Sequence, residues 1–144
     1  MSAGPIEDEA TLADIVRSMR TVAVVGIKPE SRPDEPAYSV PAQLERLGRV
    51  VIGINPTIPM ALGRPTLPGV ASLSAAVDVL DVFRRIETIP ELADQVLALP
   101  PELRPRTVWL QSGIRHDAAA ERLAAAGMRV VQDRCLGVYA MRYR

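Results

Sequence analysis

Cysteine and histidine, the residues that most often build disulfides, metal cages and nucleophilic dyads, occur once each in this 144-residue chain, as Cys135 and His116. One thiol forms neither an internal disulfide nor a cysteine-based zinc cage, so the expectation is a metal-free protein. Charge of one sign is also missing. Seventeen basic residues face seventeen acidic ones, which excludes a general electrostatic grip on nucleic acid. Long apolar runs are absent too. "TVAVVGI" and "VVIGI" fall far short of the roughly 18 residues of a membrane span, and the amino terminus "MSAGPIEDEA" is acidic instead of basic and then apolar. Neither membrane insertion nor secretion is expected, and the cytoplasm is the expected location. Lysine is rarest of all among the cations: Lys28 stands alone among arginines, a skew that fits a GC-rich coding sequence.

What remains is an ordinary apolar fraction of 48%, enough for one core and too short a chain for two. The expectation is a single domain over residues 1–144, with residues 1–20 supplying an amino-terminal helix that packs on it. Five short β-branched or apolar runs recur: Thr21 to Gly26, Arg49 to Ile54, Val77 to Phe83, Thr107 to Gln111 and Met128 to Gln132. Segments with helical spacing separate them, and this alternation predicts an α/β protein with a parallel sheet and helices on both faces. The lack of polar alternation in "VAVV", "VVIGI" and "TVWL" predicts strands covered on both sides.

Helix signals accompany this pattern. Leu12, Ile15, Val16 and Met19 form a stripe at helical spacing. Thr88-x-x-Glu91 reads as a capping box, Ser39 as a cap without its reciprocal glutamate, and Asp117 as the cap of "AAAERLAAA". Pro41 and Pro90 are expected in first turns, and Gly48 and Gly127 just past helix ends. Residues 55–74, rich in proline and glycine, are expected to be mostly loop.

Five parallel strands with right-handed crossovers take the order 3-2-1-4-5 or 2-1-3-4-5. We favour 3-2-1-4-5, with a ligand crevice framed by the segments after strands one and four. The first of these, Gly26 to Pro33, combines a glycine, Lys28, Ser31 and Arg32, a set suited to phosphate. The other is Gln111-Ser112-Gly113, offering an amide, a hydroxyl and a backbone N–H. Asn55-Pro56 stands where a Rossmann domain that binds NAD has a ribose-gripping acid. Phe83-Arg84-Arg85 ends strand three with an aromatic ring and two cations suited to adenine or pyrophosphate. No G-x-G-x-x-G, P-loop or G-x-S-x-G motif is present, and Ser112 has no partner histidine outside its own loop. Asp81 lacks the acidic and lysine companions of a phospho-receiver and reads as structural. Cys135 reads as a small core residue, with a mixed disulfide to a ligand thiol as the alternative.

Taken in order, "VAVVGIKPESRP", "AYSVPAQLERLGRVVIGINP", "VDVLDVFRR" and "VWLQSGIRHDAAAERLAAAGMRVVQDRCL" resemble the small stand-alone CoA-binding proteins. That family is similar to the amino-terminal CoA-binding domain of the succinyl-CoA synthetase α subunit. The resemblance runs from about Thr21 to Val138 and implies a Rossmann-like domain with coenzyme A across the strand ends. It implies phosphate contacts from Gly26, Lys28, Ser31 and Arg32, with Tyr38 at the entry to the next helix. Asn55, Pro56, Phe83 and Arg84 would flank the nucleotide, and Gln111, Ser112 and Gly113 would lie beside the pantetheine. "VIGINP" replaces the family's frequent "VPVNP", leaving Asn55-Pro56 intact. The sequence holds neither the phosphohistidine domain nor the nucleotide-grasp partner of the synthetase, so the resemblance implies binding of CoA or acyl-CoA without ligase chemistry. The competing readings are a small enzyme or enzyme subunit acting on a nucleotide-linked substrate through Lys28, His116 or Cys135, and an NAD(P)-binding module.

Overall fold

The computed structural model describes residues 5–144. Helix α1 (Glu9–Ser18) leads into β1 (Thr21–Val25), α2 (Pro36–Arg46) and β2 (Val50–Ile54). A small hairpin of β3 (Met60–Ala61) and β4 (Arg64–Pro65) follows, then β5 (Val79–Val82), α3 (Ile89–Leu97) and β6 (Thr107–Leu110). The chain closes with α4 (Asp117–Ala125), β7 (Arg129–Val131) and α5 (Leu136–Arg142). No described helix is long and apolar enough to cross a membrane.

The main sheet is parallel throughout, in the order β2-β1-β5-β6-β7. The α/β, Rossmann-like class is therefore the one expected. Its five full strands, however, run 2-1-3-4-5 when counted along the chain, and the favoured 3-2-1-4-5 is corrected on that count. The source of the difference is visible at Leu67, which forms a one-residue parallel bridge to Ile54 on the outer edge of β2. Its N–H donates to the Gly53 carbonyl and its carbonyl accepts from the Asn55 N–H. With Leu67 counted as a vestigial strand, the positions read 3-2-1-4-5-6, the order of a Rossmann domain. This stub lies in the stretch expected to be loop, and counting it raises the number of every later strand by one.

Alternation along the strands feeds two cores. Val22, Val24, Val79, Trp109 and Val131 pack beneath α1, α2 and α5. Ala23, Val25, Leu80, Val82, Val108 and Leu110 pack beneath α3 and α4. Central strands must be apolar on both faces, which is why their sequences show no polar alternation. The α1 stripe of Leu12, Ile15, Val16 and Met19 is wholly buried, as expected.

Helix ends are less regular than the sequence suggests. Gly48 and Gly127 do follow α2 and α4 with positive φ. Thr88 makes no capping box: a 3-10 turn over 86–88 runs straight into α3, so Thr88 has helical φ/ψ and its hydroxyl turns back to the Arg85 carbonyl. In α4 the cap is His116, whose Nδ1 accepts the Ala119 N–H at 3.1 Å, and not Asp117. Ser39 is no cap either. Pro36, pre-set for a first helical position, starts α2 a turn earlier.

Candidate functional site

That early start puts Pro41 in the interior of α2 instead of its first turn. Proline has no N–H, so the Ala37 carbonyl four residues back loses its helical partner. The Lys28 N–H takes this carbonyl at 3.1 Å and ties the segment after β1 to the helix that follows it. Asn55 ties the same segment to β2. Its side-chain amide donates to the Ile27 carbonyl at 2.9 Å, while its Oδ1 accepts from the N–H and hydroxyl of Thr57. These two bonds engage both polar groups of the Ile27–Lys28 peptide unit and hold it in place.

Gly26 makes the turn itself. Its φ is +86°, its N–H donates to the Ile54 carbonyl, and a Cβ there would lie 2.2 Å from the Phe83 carbonyl oxygen. Beyond this point β1 and β5 part, one leading to α2 on one face of the sheet and the other to α3 on the opposite face. Such a divergence between neighbouring strands is the switch point at which open α/β sheets bind ligands.

The divergence opens a cavity of about 330 Å³, within the usual size range of ligand pockets. Val25, Ile54, Val70 and Leu92 give it apolar walls, and Pro56, Arg84, Glu91 and Gln95 supply its remaining edge. Of the residues singled out in the sequence, Pro56 and Arg84 line it. The α3 residues Glu91 and Gln95 were missed, because the expected crevice lay one strand further along. Their i, i+4 spacing after the third strand was the available signal.

The other candidates sit around this cavity in different states. No ion pair among the described residues uses Lys28 or Arg84. Arg32, by contrast, is paired with Glu35, and Ser31 is exposed. Tyr38 is half-buried in the first turn of α2. Phe83 is half-buried against the core on the α2 side of the sheet, away from Arg84.

Gln111, Ser112 and Gly113 lie at the end of β6 and do not line the cavity. The Gln111 Oε1 accepts the Leu136 N–H at 3.0 Å, and the Gly113 N–H donates to Asp133 Oδ1 at 2.6 Å. This loop thus spends one polar group on the first residue of α5 and another on the turn before it, leaving Ser112 exposed. Cys135 is half-buried just ahead of α5 and packs against the core. Its chain neighbours bond to the end of β6, the Arg134 N–H to the Leu110 carbonyl and the Leu136 N–H to Gln111, and Cys135 does not line the cavity. A second hollow, at the opposite end of β2, is lined by Arg46, Arg49 and Arg64. Arg64 is paired with Glu45, and Arg49 donates to the carbonyls of Leu47 and Val16.

A doubly wound parallel sheet with a ligand-sized cavity at its switch point defines a Rossmann-like binding domain. Within that class the chain belongs to the CoA binding domain family, whose sequence model matches residues 20–141. It is 30% identical over 130 residues to the uncharacterized protein YneT of Bacillus subtilis, covering 90% of this chain and 92% of that one. It is also similar to a solved structure from Thermus thermophilus, described as cell-free ID.343. The identity there is 36% and the TM-score 0.86, with 96% of this chain and 100% of the other covered. The dinucleotide forming acetyl-coenzyme A synthetase 1 of Ca. Korarchaeum cryptofilum, solved with phosphate and ADP, shares the fold at a TM-score of 0.66 and 20% identity. There 82% of this chain matches 27% of a much longer one.

Proposed function

We propose that the protein is a cytoplasmic binder of coenzyme A or an acyl-CoA, holding the ligand without ligase chemistry of its own. The observation that carries this reading is a pair of cations just past two strands that border the cavity, Arg84 after β5 and lining it, and Lys28 after β1, with no ion pair among the described residues using either. An unpaired cation beside a concave, partly apolar site suits a phosphorylated ligand. Membership of the CoA binding domain family supports coenzyme A as that ligand, and the cavity has an apolar side for a base beside a cation for phosphate. NAD is disfavoured by Asn55. An amide takes the place of the ribose-gripping acid, and its nitrogen and oxygen are bonded to Ile27 and Thr57.

Calorimetric titration of the full chain with CoA is expected to give micromolar or tighter affinity, with no comparable competition from NAD⁺. Lys28→Ala is expected to weaken CoA roughly tenfold to a hundredfold, since a charge-assisted bond is typically worth about 1.5–3 kcal/mol. Arg129→Ala serves as the control. It removes a cation paired with Asp14 at the outer strand and should leave affinity unchanged. Tighter binding of NAD⁺ than of CoA, or equal affinities for the two variants, would overturn the assignment.

A further inference from the structure

The cavity has a direction. On α3, Glu91 and Gln95 stand one turn apart and both line it, while Val25 and Ile54 contribute apolar surface from β1 and β2. A carboxylate repels phosphate and accepts N–H donors, so the Glu91 side suits a base bearing an amino group, stacked over the apolar surface. Arg84 lines this same cavity, half-buried, and no ion pair among the described residues uses it.

A guanidinium so placed calls for an anion within a few ångströms of the base. The anchored segment from Gly26 to Lys28, which suits a pyrophosphate, leaves the sheet toward the other face. The anion that remains beside the base is one carried on the base's own ribose. Arginine's planar fork fits a terminal phosphate monoester, which presents several oxygens to it.

We propose that Arg84 reads the ribose 3′-phosphate, so that the site selects CoA over dephospho-CoA and over nucleotides that lack this group. The proposal rests on the CoA reading above and adds which end of the molecule is recognised, and by which residue. It assigns Arg84 to specificity and Lys28 to the pyrophosphate that both ligands share.

Parallel calorimetric titrations with CoA and with dephospho-CoA separate the two ideas. The unaltered protein is expected to bind CoA at least tenfold more tightly than dephospho-CoA. Arg84→Gln should bring CoA to the affinity of dephospho-CoA while changing the latter by less than about twofold. Arg84→Lys, which keeps the charge and loses the fork, should give an intermediate ratio, and it carries the test should the glutamine variant melt at a lower temperature. Lys28→Ala should weaken both ligands by the same factor and preserve the ratio. Equal affinities in the unaltered protein, or a preference that survives Arg84→Gln, would overturn the role of Arg84 and leave CoA binding standing. Failure to bind either ligand would overturn both.

Discussion

Gly26→Ala is expected to destabilise the protein by about 3 kcal/mol or more, among the larger effects a single methyl group produces. Two constraints meet at this residue. Its φ of +86° lies in the left-handed region, and the added Cβ would sit 2.2 Å from the Phe83 carbonyl oxygen. Both backbones that meet there are tied to neighbouring strands: the Phe83 N–H donates to the Val25 carbonyl and the Gly26 N–H to the Ile54 carbonyl, each at 2.9 Å. Relief of the clash therefore requires β1 and β5 to separate at the switch point.

Gly113→Ala isolates the two constraints. Gly113 has nearly the same φ, +82°, and nothing lies within 4 Å of a Cβ built there. It should lose only the conformational part, about 1 kcal/mol. Urea denaturation of the two variants measures the difference. Equal losses of about 1 kcal/mol would mean that the Phe83 carbonyl moves aside freely.

Much of this architecture is legible in the chain, because burial on both faces of a strand leaves a direct mark on composition. "VAVV" and "TVWL" declare central strands, and the α1 stripe declares its buried side. What escapes the sequence is structure held by very few residues. Leu67 extends the sheet through two backbone hydrogen bonds, which no side-chain periodicity records, and missing it shifted the expected crevice from β5 to β6. The helix α5 is seven residues long with Gly137 inside it. A Cβ at Gly137 would press on Val40 of α2 at 3.2 Å, so tertiary fit accounts for a residue that local propensity disfavours. For the cavity, residue chemistry singled out two of the residues that line it, Pro56 and Arg84. The engagements of the other candidates depended on contacts across the fold. Asn55 turned out to brace the first segment, and Gln111 to cap α5.

Asp81 yields the second large effect. It sits in β5 between Val24 of β1 and Trp109 of β6, with no exposure, and neither carboxyl oxygen has a hydrogen-bond partner. Burial holds its carboxyl well above the usual carboxylate range; the Val82 N–H opposes this only in part and does not reach hydrogen-bonding geometry. The folded protein thus keeps a proton that the unfolded chain releases near pH 3.8. Stability from this group is complete below that pH and is lost as pH rises toward the folded value.

The unaltered protein should lose about 1.4 kcal/mol per pH unit relative to Asp81→Asn across that window. Asp8, Glu9 and Asp78, whose carboxyls are held low, are common to both proteins and cancel in the difference. Asp81→Leu should show the same pH dependence and, by removing an unsatisfied buried polar group, a further gain of about 1–3 kcal/mol at acid pH. Denaturant melts of the three proteins at pH 5, 6 and 7 provide the measurement. Parallel stabilities from pH 5 to 7 would mean that the carboxyl ionises normally in the folded state. A diverging set would mean that the strand bordering the cavity carries an uncharged acid at neutral pH.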